Sequence, residues 1–451
     1  MEVLQRTANR GSISTGSYEI ENSCKFEADN SEFMARTNSS EGNKQICTLS
    51  MWVKRTELAD AFYFTAGDTA SPWFLLGFYQ DKFYWTTTAG VSAGGVMQTT
   101  RVFRDTAAWY HFVLAIDTTQ GTDTNRYKLY VNGVQETSFG TANYPSQNAN
   151  LQIMEDLPQD VGGYTSYFYS GYIAEFVAID GQALAPTSFG EVDADSGIWK
   201  PIDVSGLTFG TNGFYLDFKD SANLGNDASG GLDFTETNIA AADQATDTPT
   251  NNFATLNPLM ANAGPANYLP ITEGGTKAVN TAAAYKIANS TFGVTSGKWY
   301  WEVKATDVNG VTGIGVTMPY YWDYDYTLWG CIILSDGRRY NNSGATSGVT
   351  NTYTDGDILG FALDMDATPP TLQVYKNNTS EANLMNGLSI NGTGGAFLPV
   401  KEDGYFPKVV GYNANTFECN FGGYTSFSIS SAASDGNGYG TFEYAPPTGY
   451  Y

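Results

Sequence analysis

The chain has 451 residues, which is more than one hydrophobic core usually serves (roughly 250–300), so two domains are expected. Its content of 42% hydrophobic and 14% aromatic residues excludes a disordered chain. The formal net charge of −24 repels phosphate backbones and argues against nucleic-acid binding, whereas it suits solubility alone or the binding of polar, uncharged ligands such as glycans.

No segment indicates export or membrane insertion. The N-terminus, MEVLQRTANRGSISTGS, lacks the apolar core of a signal peptide, and no apolar run approaches the ~20 residues of a membrane span. The chain has four cysteines, at Cys24, Cys47, Cys331 and Cys419. These are too few for a disulfide framework and are not spaced as metal ligands. We therefore expect a soluble protein made in a cytoplasm.

The first half is predicted to form successive short β-strands separated by turn residues. The strand segments are ICTLSMWVKR (46–55), AFYFTAG (61–67), WFLLGFYQDKFYWTTT (73–88), AWYHFVLAID (108–117), RYKLYVNGVQETS (126–138) and GYIAEFVAIDGQAL (171–184). Asn132-Gly133 predicts a tight hairpin, because both residues tolerate positive φ. Leu49, Met51 and Val53 alternate onto one face. Strands at this spacing predict an antiparallel β-sandwich.

Four of these segments, in the order SMWVKR, AWYHFVLAID, RYKLYVNGVQ and YIAEFVAIDGQAL, resemble the laminin-G-like, concanavalin-type lectin sandwich over roughly residues 17–200. The next segments are FGEVDADSGIWKP (189–201), TNGFYLDFKDSANLGNDASG (211–230) and DTPTNNFATLNPL (247–259). Together they look like a group of tailed-bacteriophage virion proteins in which a lectin-like sandwich precedes the same extended connector. This resemblance implies a virion protein.

The connector is placed at residues 201–274. Pro249 and Pro258 each remove a backbone donor and push the preceding residue toward extended conformations, so no regular helix crosses this region. Asn and Thr side chains can pin such a backbone through local hydrogen bonds. Two interpretations stay open here: an ordered segment laid across a domain surface, and a plain linker.

The second half, over roughly residues 275–430, resembles the SPRY domain. Its motifs occur in the family's order as GKWYWEV, GIGV, DGDILGFALDMD, LQVYKNN, YFPKVV and ECNFG. The chain departs from the family after LQVYKNN, where a short turn is replaced by NNTSEANLMNGLSINGTGG. Trp299, Trp301 and Val303 are predicted to share one strand face.

The predicted fold is therefore all-β, with two antiparallel β-sandwiches, one jelly-roll or lectin-like and one SPRY-like, joined by an extended connector. The predicted segments are an N-terminal anchoring arm (1–16), the lectin sandwich (17–200), the connector (201–274), the SPRY-like sandwich (275–430) and a Gly/Tyr/Pro-rich tail (431–451).

An aromatic cluster in the second half, MPYYWDYDYTLWG (318–330), is the predicted ligand-binding surface. Its candidate residues are Tyr320, Tyr321, Trp322, Asp323, Tyr324, Asp325 and Tyr326. Large amphipathic rings interleaved with acidic groups suit contact with sugars or peptides, and the SPRY resemblance places binding loops here. The alternative is that this loop packs on a neighbouring subunit.

Asp117 and Asp123, in the loop DTTQGTDTN (117–125), are candidate calcium ligands, because related sandwiches hold calcium at a rim and carboxylates are hard oxygen donors. The alternative is an ordinary solvated loop. No other cofactor is expected.

The sequence favours a protein without catalytic equipment. Lectin-type glycanases need a pair of carboxylates facing a groove, whereas EVDADSG (191–197) offers Glu191, Asp193 and Asp195 in a connector. The only histidine, His111, lies within a strand and is interpreted as a packed structural residue. Trp73 and Trp85 alternate with core residues and are interpreted as core.

The expected function is that of a non-enzymatic phage virion protein, a tail fibre, spike or host-attachment component that presents glycan- or protein-binding surfaces on the exterior of the particle. Expected partners are other virion proteins and a host surface glycan or protein. The resemblance also implies a homotrimer, since such fibres are commonly trimeric. The alternative is a capsid-decoration or tail-cementing protein without host contact, and a glycan-cleaving enzyme is a third hypothesis.

Overall fold

The structure is a computed structural model that describes residues 18–67, 73–87, 95–163, 165–259, 268–317, 330–341, 344–346, 352–368, 370–380 and 404–451. The chain divides into two compact units, Met1–Asn252 and Phe253–Tyr451. Within the described ranges there is no α-helix, and the short 3-10 helices are Asp123–Asn125, Pro186–Ser188 and Ala241–Asp243. None of these described helices is long and apolar enough to span a membrane. The all-β fold predicted from the sequence is confirmed.

The strands of the first unit are β1 (Ser23–Phe26), β2 (Phe33–Thr37), β3 (Ile46–Arg55), β4 (Ala61–Ala66), β5 (Phe74–Tyr79), β6 (Lys82–Thr87), β7 (Val96–Val102), β8 (Tyr110–Asp117), β9 (Tyr127–Val131), β10 (Val134–Gln135), β11 (Phe139–Asn143), β12 (Pro158–Val161), β13 (Gly171–Asp180), β14 (Gly190–Val192), β15 (Trp199–Pro201), β16 (Phe214–Leu216), β17 (Thr235–Thr237) and β18 (Gln244–Ala245).

These strands form two antiparallel sheets and one hairpin. The first sheet has the order β10-β9-β8-β3-β13-β1-β18, with β16 also paired to β13. The second sheet has the order β11-β7-β6-β5-β4-β12-β2-β17, and β14 pairs with β15. Side chains from both sheets meet in one buried core, to which β3 contributes Leu49, Met51 and Val53 as predicted. Trp85 is fully buried in the same core.

Two hairpin turns follow from local sequence. Asn132 and Gly133 both have positive φ, at 48° and 77°, and join β9 to β10 as predicted. Gln80 and Asp81, with φ of 55° and 61°, join β5 to β6 in the same manner. Asn, Asp and Gly tolerate this backbone conformation, which matches the twist of the flanking strands.

Residues 201–252 are part of the first sandwich, so the predicted domain end at residue 200 is too early. β16, β17 and β18 pair with β13, β2 and β1, respectively. Three buried cations on β1, β2 and β3 form ion pairs with acids of this returning segment. The pairs are Lys25–Asp243 at 2.8 Å, Arg36–Asp227 at 3.4 Å and Lys54–Asp247 at 2.6 Å. Residues 201–252 are thus ordered and packed across both sheets, and they are not a plain linker.

The second unit begins at Phe253 and takes up the rest of the predicted connector. Its strands are β19 (Ile271–Thr272), β20 (Lys277–Asn280), β21 (Lys286–Asn289), β22 (Lys298–Val308), β23 (Gly313–Thr317), β24 (Gly330–Leu334), β25 (Arg339–Asn341), β26 (Gly344–Thr346), β27 (Ile358–Asp364), β28 (Thr371–Lys376), β29 (Thr379–Ser380), β30 (Phe406–Gly411) and β31 (Asn415–Asn420).

This unit is a second two-sheet sandwich. One sheet has the order β19-β20-β31-β22-β27-β28-β29 and the other β21-β30-β23-β24-β25-β26. Trp301 and Val303 of β22 lie in the core between them, where the Trp301 ring stacks on Phe361 with centroids 5.2 Å apart. Trp299, predicted on the same face, is half-buried, and its indole N–H donates to the Ser296 carbonyl at 2.7 Å.

The C-terminal tail packs on its own unit. The carboxylate of Glu302, a fully buried residue of β22, accepts hydrogen bonds from the backbone N–H groups of Glu443 at 2.9 Å and Tyr444 at 2.8 Å. The last residue, Tyr451, exchanges backbone hydrogen bonds with Lys298 and Tyr300 of the same strand. The predicted N-terminal arm, 1–16, lies outside the described residues.

Candidate functional site

All seven candidate residues, Tyr320, Tyr321, Trp322, Asp323, Tyr324, Asp325 and Tyr326, lie outside the described residues. Their assignment as ligand contacts stays a prediction.

The two candidate calcium ligands stand in a loop that is closed by its own hydrogen bonds. The Asp117 carboxylate accepts from the Thr119 hydroxyl at 2.5 Å and the Gln120 amide at 2.5 Å, and these bonds, despite the opposing effect of burial, hold its pKa below the usual value. The Asp123 carboxylate accepts from the Thr124 N–H at 2.7 Å. No group of three or more His, Cys, Asp or Glu side chains able to hold a metal lies within the described ranges. Calcium binding stays a prediction.

His111 is buried and hydrogen-bonded at both ring nitrogens. Its Nδ1 accepts from the indole N–H of Trp199 at 2.9 Å, so Nε2 carries the proton and donates to the Ser50 hydroxyl at 2.9 Å. The Trp52 ring stacks on the imidazole with centroids 4.5 Å apart. Burial lowers the His111 pKa to about 3, so the ring is neutral. This is the packed structural residue that the sequence predicted.

The acidic segment at residues 191–195 lies at the end of β14, where the chain turns toward β15. Asp193 is fully buried, and its carboxylate accepts from the backbone N–H groups of Asp195 at 3.1 Å and Ser196 at 2.9 Å. Lys200 lies 3.3 Å from both the Asp193 and the Glu191 carboxylate oxygens. The Asp193 and Glu191 carboxylates thus help to close the hairpin of β14 and β15, which is a structural role.

The described residues contain one surface with the character of a binding site, on the outer face of the second sheet of the first unit. In β5 and β6, Phe74, Leu76, Phe78, Phe83 and Trp85 enter the core. Strand alternation therefore directs Tyr79 and Tyr84 outward, on either side of the Gln80-Asp81 turn.

Gly77 allows the outward rings of three strands to meet. It pairs with Phe62 of β4 on one side and with Tyr84 of β6 on the other. Because Gly77 has no side chain, the Phe62 and Tyr84 rings approach across it, with centroids 6.1 Å apart. A Cβ at this position would lie 2.0 Å from the Ala61 carbonyl oxygen, so the strand spacing here requires glycine.

Four rings form a continuous row, which we call the aromatic ribbon: Tyr79, Tyr84, Phe62 and Tyr167. Successive centroids are 5.5 Å apart from Tyr79 to Tyr84 and 5.4 Å apart from Phe62 to Tyr167. Phe62 is buried at the centre, whereas Tyr79 and Tyr167 at the ends are 40% and 46% exposed. The ribbon thus presents ring surface and phenol hydroxyls to solvent.

Polar groups lie beside the ribbon on the same sheet. The Gln98 amide of β7 donates to the Tyr79 carbonyl at 3.1 Å. On β12, Asp160 pairs in register with Thr65 of β4, whose hydroxyl donates to its carboxylate at 3.4 Å. Burial raises the Asp160 pKa to about 6. An aromatic platform with its own phenol hydroxyls and a neighbouring amide can stack on an apolar ligand face and hydrogen-bond its hydroxyl or amide groups.

This surface was not predicted, because the aromatic residues of 73–88 were interpreted only as strand formers. The available signal was FLLGFYQDKFYW (74–85), in which aromatic residues occupy both strand faces around an internal glycine and a tight turn. In an amphipathic strand the outward positions are normally polar, so a group of outward tyrosines indicates a candidate interaction surface.

Comparison with known proteins supports a lectin-type fold for the first unit. Residues 29–187 match the family model described as the concanavalin A-like lectin/glucanases superfamily. The first unit therefore contains a concanavalin A-like lectin domain, as the sequence predicted. That description covers both sugar-binding and sugar-cleaving proteins. No curated protein matches the chain.

Solved structures with similarity to the chain include both predicted kinds of sandwich. The SPRY domain of human HERC1 is 22% identical with a TM-score of 0.26, over 33% of this chain and 89% of that one. The LG1-3 region of the laminin alpha2 chain is 11% identical with a TM-score of 0.35, over 88% of this chain and 61% of that one. The native heptameric SAP-like pentraxin from Limulus polyphemus is 13% identical with a TM-score of 0.29, over 38% of this chain and 80% of that one. SPRY and laminin G-like domains are thus structural neighbours.

Proposed function

We propose that this protein is a non-enzymatic binding protein whose first unit holds a glycan or protein ligand on the aromatic ribbon. The ribbon carries the proposal, because it combines exposed rings with hydrogen-bonding groups on a lectin-type sandwich. Rigid tyrosines bury much area for little lost side-chain entropy, which makes them effective contacts. Of the acids that the sequence offered for glycan cleavage, Asp193 accepts hydrogen bonds from two backbone N–H groups, and both Asp193 and Glu191 pair with Lys200.

The setting of this binding is proposed from sequence resemblance. The segments at 189–201, 211–230 and 247–259 resemble those of tailed-phage virion proteins, so the protein would act on the particle exterior as a tail fibre, spike or host-attachment component. Its partners would be other virion proteins and a host surface glycan or protein, with a homotrimer as the assembly. The second unit would be a SPRY-like module that carries the loop with Trp322 and Tyr324.

Competition for host cells tests this proposal. The purified full-length protein, added before the particles, should reduce particle adsorption. Tyr79→Ala and Tyr84→Ala should each weaken this competition about tenfold, the effect of losing roughly 1.4 kcal/mol of binding free energy. Tyr130→Ala, on β9 of the other sheet, is the matched control and should compete like the unmodified protein.

The outcomes separate the hypotheses. Competition that is lost with Trp322→Ala or Tyr324→Ala but kept in the ribbon variants would move the ligand site to the second unit and refute the ribbon. Absence of any competition would favour a decoration or cementing role. Release of reducing ends from host polysaccharide would contradict the non-enzymatic assignment.

A further inference from the structure

A buried lysine, an aspartate and an asparagine meet where the returning segment crosses the first sheet. The Lys54 ammonium, on β3, lies 2.6 Å from the Asp247 carboxylate and 2.8 Å from the Asn252 side-chain oxygen. The side chains of Lys54 and Asp247 are 0% and 1% exposed. Asn252 is half-buried and is the last residue of the first unit.

The hydrogen bonds fix the orientation of the asparagine amide. Lysine has only donors, so the atom facing Lys54 is the amide oxygen. The amide nitrogen donates to the Ala107 carbonyl at 2.8 Å. The amide carbonyl of Asn252 is therefore turned toward the lysine nitrogen, and its NH₂ group points away from it.

The surroundings hold Asp247 in place and exclude water. The indole N–H of Trp109 donates to its second carboxylate oxygen at 2.9 Å, and the Ser23 hydroxyl donates to its backbone carbonyl at 2.7 Å. The Tyr172 ring covers the lysine, with its centroid 5.9 Å from the ammonium nitrogen. Burial lowers the Lys54 pKa, although Asp247 opposes this effect. Once its proton has passed to Asp247, such a desolvated amine is a nucleophile.

From this geometry we infer that Lys54 and Asn252 form an intramolecular isopeptide bond, with Asp247 carrying the proton. The site is a self-modification site, and its only reactants are groups of this chain.

The reaction balances without any further reagent. Asp247 takes a proton from the Lys54 ammonium, and the neutral nitrogen attacks the side-chain carbonyl carbon of Asn252. A carbon–nitrogen bond forms to Lys54, and the bond between that carbon and the Asn252 amide nitrogen breaks. Protons passed through Asp247 leave with this nitrogen as ammonia. One amine and one primary amide thus give one secondary amide and one ammonia.

Such a bond would close the chain where it leaves the first unit. Lys54 and Asn252 are 198 positions apart, so the link would tie nearly the whole lectin sandwich into one covalent ring. The ring would limit the conformations of the unfolded chain. Tension applied through Phe253 would pass directly into β3, a central strand of the first sheet, and bypass the strands between.

Mass spectrometry of the denatured full-length protein tests the inference. The intact mass should be lower than the sequence mass by one ammonia, and proteolysis should give a branched peptide that joins the Lys54 and Asn252 segments. Lys54→Arg, Asn252→Ala and Asp247→Ala should each abolish the branched peptide. Asn251→Ala is the matched control, because it alters the neighbouring residue and should keep the branch.

Three results would overturn the inference, and each is readable on the unmodified protein even where a variant fails to fold. The first is a full sequence mass with no branched peptide after prolonged incubation. The second is a loss of ammonia that is found on a linear peptide. If hydroxylamine cleaves that peptide, the loss reflects a succinimide at Asn252. The third is loss of water with a branch at Asp247, which would reverse the proposed roles.

Discussion

The stability of the first unit should fall as the pH rises through neutrality, because of one buried acid. Glu175 lies in β13 at a bulge where the register to β3 shifts, and its φ is 48°. One carboxylate oxygen accepts from the Tyr18 hydroxyl at 2.9 Å and the Tyr215 hydroxyl at 2.7 Å. The other oxygen is buried and has no hydrogen-bond partner.

Burial raises the Glu175 pKa from 4.5 to about 7, although the two tyrosine hydroxyls oppose the shift. Nearby charges also act on it, since Asp217 raises and Lys219 lowers this pKa. The folded protein therefore keeps the proton at a pH at which the unfolded chain has lost it. The stabilisation is fully present below pH 4.5 and is lost as the pH rises through about 7.

The size of the effect follows from the same values. At roughly 1.4 kcal/mol per pH unit, the free energy of unfolding should fall by about 2–3 kcal/mol between about pH 5 and about pH 8. Glu175→Gln keeps the acceptor for both tyrosines and has no proton to lose, so this part of the pH dependence should disappear. The exposed Glu21→Gln is the control and should keep it.

Urea unfolding of the full chain, followed by tryptophan fluorescence at both pH values, measures this difference. The transition of the first unit is identified as the one that Glu175→Gln moves. Because other titrating acids contribute equally to both proteins, the comparison isolates Glu175. An equal loss of stability in Glu175→Gln and in the unmodified protein would refute the argument.

Two further predictions concern the buried charges that hold irregular segments. Arg36→Ala should lower the free energy of unfolding of the first unit by about 3–5 kcal/mol in urea titrations, since it leaves Asp227 buried without its cation; the half-buried Arg101→Ala should cost far less. Glu302→Ala should release the C-terminal tail from β22, so chymotrypsin should cleave at Tyr444 several-fold faster. Asp307 is an exposed residue of the same strand, and Asp307→Asn should leave the cleavage rate unchanged.

Local sequence was sufficient to predict the strands of the sandwich and the turns that join them. The alternation in ICTLSMWVKR predicted which side chains of β3 enter the core, because successive side chains of a strand point to opposite faces of the sheet. Asn132-Gly133 predicted its hairpin because the turn depends on the φ preference of two adjacent residues. Both features are decided within a few residues, where a single sequence is informative.

The boundary of the first unit was not predictable in this way. β16, β17 and β18 are two or three residues long, so they show no measurable period. They are held by partners far away in the chain, as in the ion pair between Lys54 and Asp247. The prolines and asparagines around Asp247 suggested a connector because local composition shows an extended chain and does not show what binds it. The aromatic ribbon was not predicted for a related reason. Its rings come together only because β4 and β6 pair with β5 on either side of Gly77.

The buried ion pairs suggest how a sequence with only 16% charged residues keeps such short strands in place. A three-residue strand buries little apolar area, so packing alone discriminates weakly between registers. Leaving a buried cation without its acid costs several kcal/mol of stability. A register shift that separates an ion pair therefore costs more free energy than a shift that only loosens packing. Lys25, Arg36 and Lys54 each meet an acid of the returning segment, so sliding that segment by one residue breaks all three pairs together. Register here is set by charge.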